Sequence, residues 1–187
     1  MQGQFYLRRA SGEDLPEIMR LMKGAGDWVP EPDWFAGDEE ETVARHLARE
    51  GFILVALPAG ENGRTGSVAG FLMVRFPGNA EDNLGRDVGL SGEELLRTAH
   101  LETAVVAPEY QGNGLQYRLF QKAEELLAAE GTSGVKGPGG RRIRWLFATV
   151  HPDNRYSRRN MEKLGCQVAT EVRKYGGKRR LIMWKQL

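Results

Sequence analysis

The feature that most constrains this chain is a glycine-bearing turn between a short apolar run and an amphipathic helix. It occupies residues 105–116, which read VVAPEYQGNGLQ. Two glycines let the backbone bend closely, and the following helix presents unpaired N–H groups and its positive dipole end to the turn. The turn therefore suits a diphosphate group. A plain strand-to-helix connection has the same pattern, so the glycines alone leave both interpretations open.

The turn resembles motif A of the GNAT acetyltransferases, in which a strand runs into Gln/Arg-x-x-Gly-x-Gly/Ala. Gln111 and Gly114 fit this pattern, whereas Gln116 stands where Gly or Ala is usual. We therefore expect one edge of the turn to be more crowded than in relatives.

A second block, residues 151–166, reads HPDNRYSRRNMEKLGC. It comes directly after the strand predicted at 143–150. It resembles GNAT motif B, with Asn154 and Gly165 at matching positions and Cys166 where an aromatic is usual. The two blocks stand in the expected order, and the resemblance covers nearly the whole chain.

The resemblance implies an α/β (α+β) GNAT fold formed by one domain over residues 1–187. Its central sheet is mixed, mostly antiparallel and six- to seven-stranded, with a splay between strands four and five and helices on both faces. It also implies an N-acetyltransferase that moves acetyl from acetyl-CoA directly to a primary amine. The residues expected to bind the cofactor are Val105 and Val106 through strand-four backbone, the turn amides of Gln111, Gly112, Asn113, Gly114, Leu115 and Gln116, and Asn154 and Ser157 near the pantetheine or thioester.

A base for the amine is expected on strand four, where relatives often carry a carboxylate that takes or relays the proton. Glu102 is the first candidate and His100 the second. Period-two alternation places both on one face together with Val106, unless a bulge changes the parity. The structural alternatives are a salt-bridged carboxylate for Glu102 and a satisfied buried histidine for His100.

The general acid departs from the family, because Met161 occupies the position of the usual motif B tyrosine. Tyr156 cannot replace it, since five residues turn a helix by roughly 140° from that face. Tyr175 and Tyr117 remain possible but have no matching position. His151 either faces the cleft or is an ordinary turn residue.

The remaining pattern predicts elements along the whole chain. We expect strands at residues 5–9, 51–57, 67–76, 100–106 and 143–150, and a closing hairpin formed by 167–173 and 180–185. Helices are expected from Ser11 to Lys23, where Gly24 and Gly26 stop the first one, and at 38–49, 91–97, 114–130 and 154–164. Residues 58–66 and 131–140 are predicted surface connections.

Charge is unevenly distributed along the 187 residues: 13 Lys/Arg and 3 Asp/Glu lie in residues 141–187, against 13 and 22 before them. A basic quarter suits polyanionic coenzyme A, and the acidic remainder suits a cationic acceptor. Acids and aromatics mix at residues 27–41, which we expect to line the acceptor side or simply to cover the core. The basic cluster around the last hairpin, which includes Arg180, is by default a solvated face, with contact to a CoA phosphate or to nucleic acid as the alternatives.

Composition narrows the partners and the compartment. One cysteine and three histidines without ligand spacing predict no disulfide and no metal site. No apolar run of membrane length is present, so we expect a cytoplasmic protein without a membrane partner. The expected partner is a small-molecule or peptide amine rather than nucleic acid, with a homodimer possible. The alternative function is a noncatalytic acyl-CoA-binding module or sensor, motivated by Met161 and Gln116.

Overall fold

The computed structural model describes residues 5–59, 67–129 and 134–187. Within these residues seven strands form one sheet in the order β1-β2-β3-β4-β5-β7-β6. All neighbours are antiparallel except β4 and β5, which are parallel. This confirms the predicted mixed, mostly antiparallel sheet. The strands are β1 (Phe5–Arg9), β2 (Gly51–Pro58), β3 (Gly70–Arg75), β4 (Thr98–Val106), β5 (Trp145–Val150), β6 (Gln167–Lys174) and β7 (Lys178–Gln186).

Helices cover both faces of the sheet, as predicted. The first face packs against α1 and α2 and buries Ile18, Val43 and Phe71 in one cluster. The second face packs against α3 and α4 and buries Leu119 and Met161 in another cluster. The helices are α1 (Leu15–Trp28), α2 (Glu40–Arg45), α3 (Leu115–Ala128) and α4 (Arg155–Lys163), with short helical turns at Gly12–Asp14, Pro32–Trp34, His46–Glu50, Leu84–Val88, Gly92–Arg97, Pro108–Tyr110 and Pro138–Gly140.

The sequence of each strand reflects its place in the sheet. The six inner residues of β2 are all buried, because helices cover both sides of this strand and its sequence is a continuous apolar run. In contrast, β6 lies at the edge and is mostly exposed. Its alternating charged residues suit an edge strand, because charges there discourage pairing with another chain.

The predicted splay between β4 and β5 is present. The two strands pair only from Thr98 opposite Trp145 to Leu101 opposite Ala148, and then separate. At the same level β4 carries a bulge, because Leu72 pairs with Ala104 whereas Val74 pairs with Leu101. Three steps along β4 therefore oppose two along β3, and the bulge strengthens the local twist. The gap opens directly after this point.

The prediction that Gly24 and Gly26 end the first helix is wrong, since α1 continues to Trp28. A side chain at Gly24 would collide with the indole ring of Trp28, which lies against the bare backbone one turn earlier. Packing of the tryptophan thus offsets the poor helix propensity of glycine, about 1 kcal/mol per residue.

Other predicted boundaries shift by a few residues. The helix expected at 38–49 begins at Glu40 and changes to a π-helical turn over His46–Glu50. The fifth strand begins at Trp145 rather than at Ile143, although Ile143 is buried. Residues 60–66 of the first predicted connection lie outside the described residues. Residues 130–133, at the end of the helix predicted at 114–130 and the start of the second connection, lie outside them as well.

Candidate active site

The turn between β4 and α3 has the backbone shape of a cradle. Gly112 and Gly114 adopt left-handed φ angles of 79° and 68°, which L side chains rarely occupy. A Cβ at either position would meet no atom within 4 Å, so the space beside both is open. Because α3 begins at Leu115 without a side-chain cap, its first amides are free to bind an anion.

Two side chains of the turn brace its backbone. The Nε2 of Gln111 donates to the carbonyl of Val106 at 3.2 Å, and the Nδ2 of Asn113 donates to the carbonyl of Tyr110 at 3.1 Å. These amide groups are therefore occupied within the protein. The part of the turn left for a ligand is its main chain, as the sequence led us to expect.

The backbone of β4 that borders the gap belongs to Val106 rather than to Val105. The oxygen of Val105 lies 2.7 Å from where a Cβ of Gly70 would stand, so this carbonyl faces β3. The N–H of Ala107 also points to β3 and donates to Ala69 at 2.9 Å. Because successive peptides alternate sides, Val106 faces the gap and Val105 does not. Val105 lines the cavity but turns its carbonyl away from the gap, so its contact with the cofactor stays a prediction.

Gln116 connects α3 to α4 near the gap. Its Nε2 donates to the Oγ of Ser157 at 3.2 Å, and its Oε1 accepts from Asn160 at 2.6 Å. The predicted crowding is thus a polar bridge between the two helices. Asn154 caps α4, since its Oδ1 accepts the Ser157 N–H at 3.1 Å. Asn154 and Ser157 both line the cavity described below, but each already has a structural partner.

Met161 fills a place in the core rather than in the polar part of the site. It is 1% exposed and packs in the cluster between the sheet, α3 and α4. Tyr156 is 77% exposed, so it does not substitute for a buried acid at that position. The motif B helix therefore offers no buried hydroxyl where the family has one.

On the opposite face of the sheet, Glu102 lies between two cations. Its Oε2 is 3.0 Å from the Nε2 of His46, and its Oε1 is 3.0 Å from the Nε of Arg75. The Arg75 contact is an ion pair without a well-directed hydrogen bond. Burial alone would raise the pKa of Glu102, but His46 and Arg75 outweigh it and hold this pKa below its usual range. Glu102 is thus an ionised carboxylate.

The partners of His46 determine its protonation. Its Nδ1 lies 2.8 Å from the carbonyl of Thr42, which can only accept, and its Nε2 faces the Glu102 carboxylate. Both ring nitrogens must therefore donate, which makes the ring an imidazolium. Burial lowers the pKa of His46, but the bonds to Glu102 and Thr42 reverse that effect and raise it above its ordinary value.

His100 is placed differently from Glu102. It is 3% exposed, and its Nε2 accepts the N–H of Leu84 at 3.2 Å. Burial lowers its pKa to about 4, so the ring is neutral. Its available lone pair is already bonded to the backbone.

The bulge in β4 changes the predicted parity. Thr103 donates to Asp38 at 2.9 Å, so Glu102 and its direct neighbour Thr103 both contact residues that flank α2. Val106 then packs with the cluster on the α3 and α4 side. The expectation that Val106 shares a face with Glu102 and His100 is therefore wrong, because the extra residue reverses the alternation beyond it.

Tyr175 brings a hydroxyl to the gap from the turn between β6 and β7. Its oxygen lies 3.0 Å from the Oγ1 of Thr149 on β5. The ring is half exposed, and partial removal of the hydroxyl from water raises its pKa, with Glu102 adding to the effect. Tyr175 adopts a φ of 52°, unusual for a residue other than glycine. This turn brings the Tyr175 hydroxyl close enough to Glu102 for the two groups to interact electrostatically.

Residues 32–35 cover the first face of the sheet near Tyr175. The ammonium of Lys178 donates to the carbonyls of Pro32 and Phe35, at 3.3 and 3.0 Å. Trp34, from the same segment, stacks on His151 with ring centres 6.2 Å apart. The acidic and aromatic segment thus contacts the end of β5 and the last hairpin. His151 faces this contact and is buried.

The basic cluster of the last hairpin is only partly a solvated face. Arg179 is exposed and pairs with Glu171 at 2.7 Å. Lys174 pairs with Asp87 at 3.0 Å. Arg180, however, is 3% exposed, so the default expectation of a solvated side chain is wrong for it. Alternation along β7 turns Arg180 inward, on the same face as the buried Ile182.

One cavity of about 880 Å³ joins these groups. Its lining includes the turn glycines and Ser157 on one side, and Glu102, Tyr175 and Arg180 on the other. The cavity thus passes from the cradle through the β4–β5 gap to the first face. No three His, Cys, Asp or Glu side chains converge as a metal site within residues 5–59, 67–129 and 134–187. In the same part of the chain no helix is long and apolar enough to cross a bilayer.

Sequence reasoning missed His46, Arg75 and Arg180. His46 lies 56 residues from Glu102, and no local pattern links the two. Alternation along β7 was a usable signal for Arg180, because positions 180, 182 and 184 share a face. The run of basic residues obscured it.

Comparison with known proteins gives one family. A model of the Acetyltransferase (GNAT) family matches residues 21–166. The comparison with curated proteins finds no match.

Several solved structures are similar to the whole chain. The ribosomal-protein-S18-alanine N-acetyltransferase from Escherichia coli is 19% identical with a TM-score of 0.63, covering 98% of this chain and 94% of its own. Arabidopsis thaliana NAA60 in complex with acetyl-CoA is 14% identical with a TM-score of 0.70, covering 98% and 100%. The putative acetyltransferase yncA from Salmonella typhimurium, with acetyl-CoA, is 19% identical with a TM-score of 0.61, covering 98% and 94%. At these identities the likeness shows the fold.

Proposed function

This chain belongs to the GNAT acetyltransferase family, and from that premise we propose that it transfers an acetyl group from acetyl-CoA to the primary amine of a cationic acceptor. The observation that carries the proposal is the cavity, which joins an anion-binding turn to a buried carboxylate through the β4–β5 gap. We further propose that one domain spans residues 1–187.

The cradle fits coenzyme A. Gly112 and Gly114 leave open space beside the main chain, and the first amides of α3 are free for the diphosphate. The peptide of Val106 would pair with the pantetheine arm along the gap. Ser157 would lie farther along, where Gln116 links the two helices. When bound, acetyl-CoA supplies an activated acetyl carbon and a thiolate leaving group.

Glu102 is the proposed proton acceptor. An amine reaches the site as an ammonium, which the Glu102 carboxylate attracts, and it must lose one proton before its nitrogen can attack. The lowered pKa means that Glu102 holds this proton only briefly and relays it through water to solvent. His100 is less suited, because the N–H of Leu84 occupies its lone pair.

Tyr175 is the proposed proton donor. As the amine nitrogen bonds to the acetyl carbon, the carbon–sulfur bond breaks and sulfur takes the electron pair and a proton. The raised pKa keeps the Tyr175 hydroxyl protonated, and Thr149 orients it beside the gap. The nitrogen loses its second excess proton after attack, so one proton is released per turnover once solvent has reprotonated Tyr175.

The acceptor side is formed by the aromatic and acidic segment. Trp34 and Phe35 line the cavity together with Asp38. Asp38 bonds to Thr103, and burial raises its pKa. The aromatic faces and the Glu102 carboxylate of this cavity suit the ammonium group of the acceptor.

An alternative function, an acyl-CoA-binding module without efficient turnover, is favoured by a different observation. Both Glu102 oxygens already contact cations, and Met161 replaces the usual tyrosine. Tight CoA binding without CoA release across a broad acceptor panel would support this alternative. The cytoplasmic location and a homodimer stay predictions.

The deciding experiment measures CoA release with amino acids, polyamines, aminoglycosides and lysine or N-terminal peptides. Turnover with a cationic amine supports the proposal. Asp33→Lys should then raise the KM of that amine more than the KM of acetyl-CoA. Equal effects on the two substrates would count against a cationic acceptor, and CoA binding without any turnover would favour the binding module.

A further inference from the structure

Arg180 is a buried cation that projects into the acceptor half of the cavity. It is 3% exposed and lies on β7. It directly precedes Leu181, which pairs with Val150, the last residue of β5. One of its nitrogens donates to the carbonyl of Arg179 at 2.7 Å, and its guanidinium lies over the ring of Tyr175, 5.4 Å from the centroid. Arg180 is thus held against the ring that carries the hydroxyl proposed as the proton donor.

The charge of Arg180 has no carboxylate partner in the described part of the chain. It contacts the Arg179 carbonyl and the Tyr175 ring, and no Asp or Glu of residues 5–59, 67–129 and 134–187 lies within 4.0 Å of it. Asp33 is near enough to act on it electrostatically without forming an ion pair. A guanidinium has five N–H donors in a planar fork, so several of them remain for a ligand.

The other cations that line the cavity are already paired. Arg45 contacts Glu41 and Glu50, each at 3.3 Å. Arg75 pairs with Asp82, and Lys174 pairs with Asp87. A buried charge without a partner is costly, because burial removes water and nothing replaces it. Arg180 is therefore distinguished from its neighbours as the cation left for a ligand to neutralise.

We infer that Arg180 binds a carboxylate of the acceptor, so that the substrate is an amine that also carries a carboxylate. This inference rests on the proposed function and deepens it. The ammonium of the acceptor is drawn to Glu102, and the carboxylate is received by the planar guanidinium of Arg180. The pair of opposite charges lying around Tyr175 would fix both ends of an amino carboxylate, and such two-point binding restricts the position of the attacking nitrogen.

Two sources share this chemistry: the α-carboxylate of a free amino acid and an acidic side chain of a peptide. The experiment compares kcat/KM for free L-amino acids with their amides, and for N-terminal Ala-Glu peptides with Ala-Gln peptides. Within each pair, one member has the carboxylate, the other has an amide in its place, and both have the same reacting amino group. A preference confined to the first pair assigns a free amino acid, and one confined to the second assigns a peptide.

Arg180→Met removes the charge and retains the length of the side chain. We expect the kcat/KM of the favoured carboxylate substrate to fall about 10- to 100-fold relative to that of its amide counterpart. Arg180→Lys should recover part of the loss. The matched control, Arg179→Met, removes a neighbouring exposed charge and should change neither substrate. Turnover of the amide counterpart also shows that the Arg180 variant is folded.

The inference and the proposed function fail in different ways. A wild-type enzyme that acetylates amines without preferring either carboxylate, or an Arg180→Met variant that weakens both members of a pair equally, overturns the inference alone. If no acceptor is acetylated, the proposed function fails, and calorimetric titration of the same pairs into the CoA-saturated protein still tests Arg180. Carboxylate-selective binding that Arg180→Met abolishes then supports the inference, and equal or absent binding overturns it.

Discussion

The Nε2 of His46 lies 3.0 Å from the Oε2 of Glu102, although 56 residues separate them. The two residues come from different layers, since His46 follows α2 and Glu102 lies at the bulge of β4. The contact fixes the carboxylate at the point where the gap opens. It also makes the protonation of the site depend on a residue outside both family motifs.

The His46–Glu102 pair predicts a pH-dependent stability. The pKa of His46 is raised on folding, so its contribution is complete below its unfolded value of about 6.5 and is lost as pH rises through the folded value. The pKa of Glu102 is lowered, so its contribution is complete above about 4.3 and is lost at more acidic pH. The pair should therefore stabilise most near pH 5 to 6.

Thermal unfolding of His46→Gln measures this effect. We expect a loss of about 1–3 kcal/mol near pH 5.5 that becomes smaller toward pH 9. His151→Gln is the matched control, because His151 is also buried but its nearest carboxylate oxygen, on Asp153, is 3.9 Å away. A loss that is the same at both pH values would show that His46 is not charged in the folded protein.

Glu102→Gln should lower kcat about 10²-fold, because the amide cannot accept the amine proton. The KM for acetyl-CoA should hardly change, since the cradle lies on the other side of the gap. The lowered pKa places any acidic limb due to Glu102 below its usual range, so this group should not limit wild-type kcat between pH 5.5 and 8.

His100→Gln distinguishes the two candidate bases in the same assay. Normal kcat in Glu102→Gln with loss in His100→Gln would transfer the role to His100. Normal kcat in both variants would mean that solvent deprotonates the amine.

The parts of the fold that the sequence predicts well are those that depend on local periodicity. The apolar run of β2 and the apolar stripe of α3 are visible in the local sequence, and the turn at Tyr175, Gly176 and Gly177 marks the hairpin of β6 and β7. The splay was predicted only through family resemblance, because nothing local in β4 or β5 shows where two parallel strands separate. The end of α1 was missed because the packing of Trp28 on Gly24 overrides helix propensity.

The site was predictable to a different extent on each side of the gap. On the cofactor side, the glycines and the cap residue Asn154 act through backbone geometry, which short motifs encode. On the acceptor side, His46, Arg75 and Arg180 act through contacts between distant segments. The bulge at Glu102 and Thr103 also depends on pairing with β3, so strict alternation misplaced Val106.

Tyr175→Phe tests the proposed acid. Loss of the hydroxyl should lower kcat by about 100-fold, at the lower end of the range for general acid catalysis, while the acceptor KM changes little. Tyr156→Phe is the control, because that ring also lines the cavity but is 77% exposed. Equal rates for wild type and Tyr175→Phe in single-turnover experiments would place protonation of the thiolate with solvent.

Gly114→Val tests the cradle. A β-branched residue at a φ of 68° strains the turn, and its methyl groups would enter the open space beside the first amides of α3. We expect acetyl-CoA to bind the wild type in the micromolar range, about −8 kcal/mol, and the variant at least tenfold more weakly by calorimetric titration. Gly176→Val is the matched control, since Gly176 has a φ of 76° and equally open space but lies in the β6–β7 turn. Both variants should lose stability through the same backbone strain, and only Gly114→Val should lose affinity. Equal affinities for the two variants would show that the turn does not hold the cofactor.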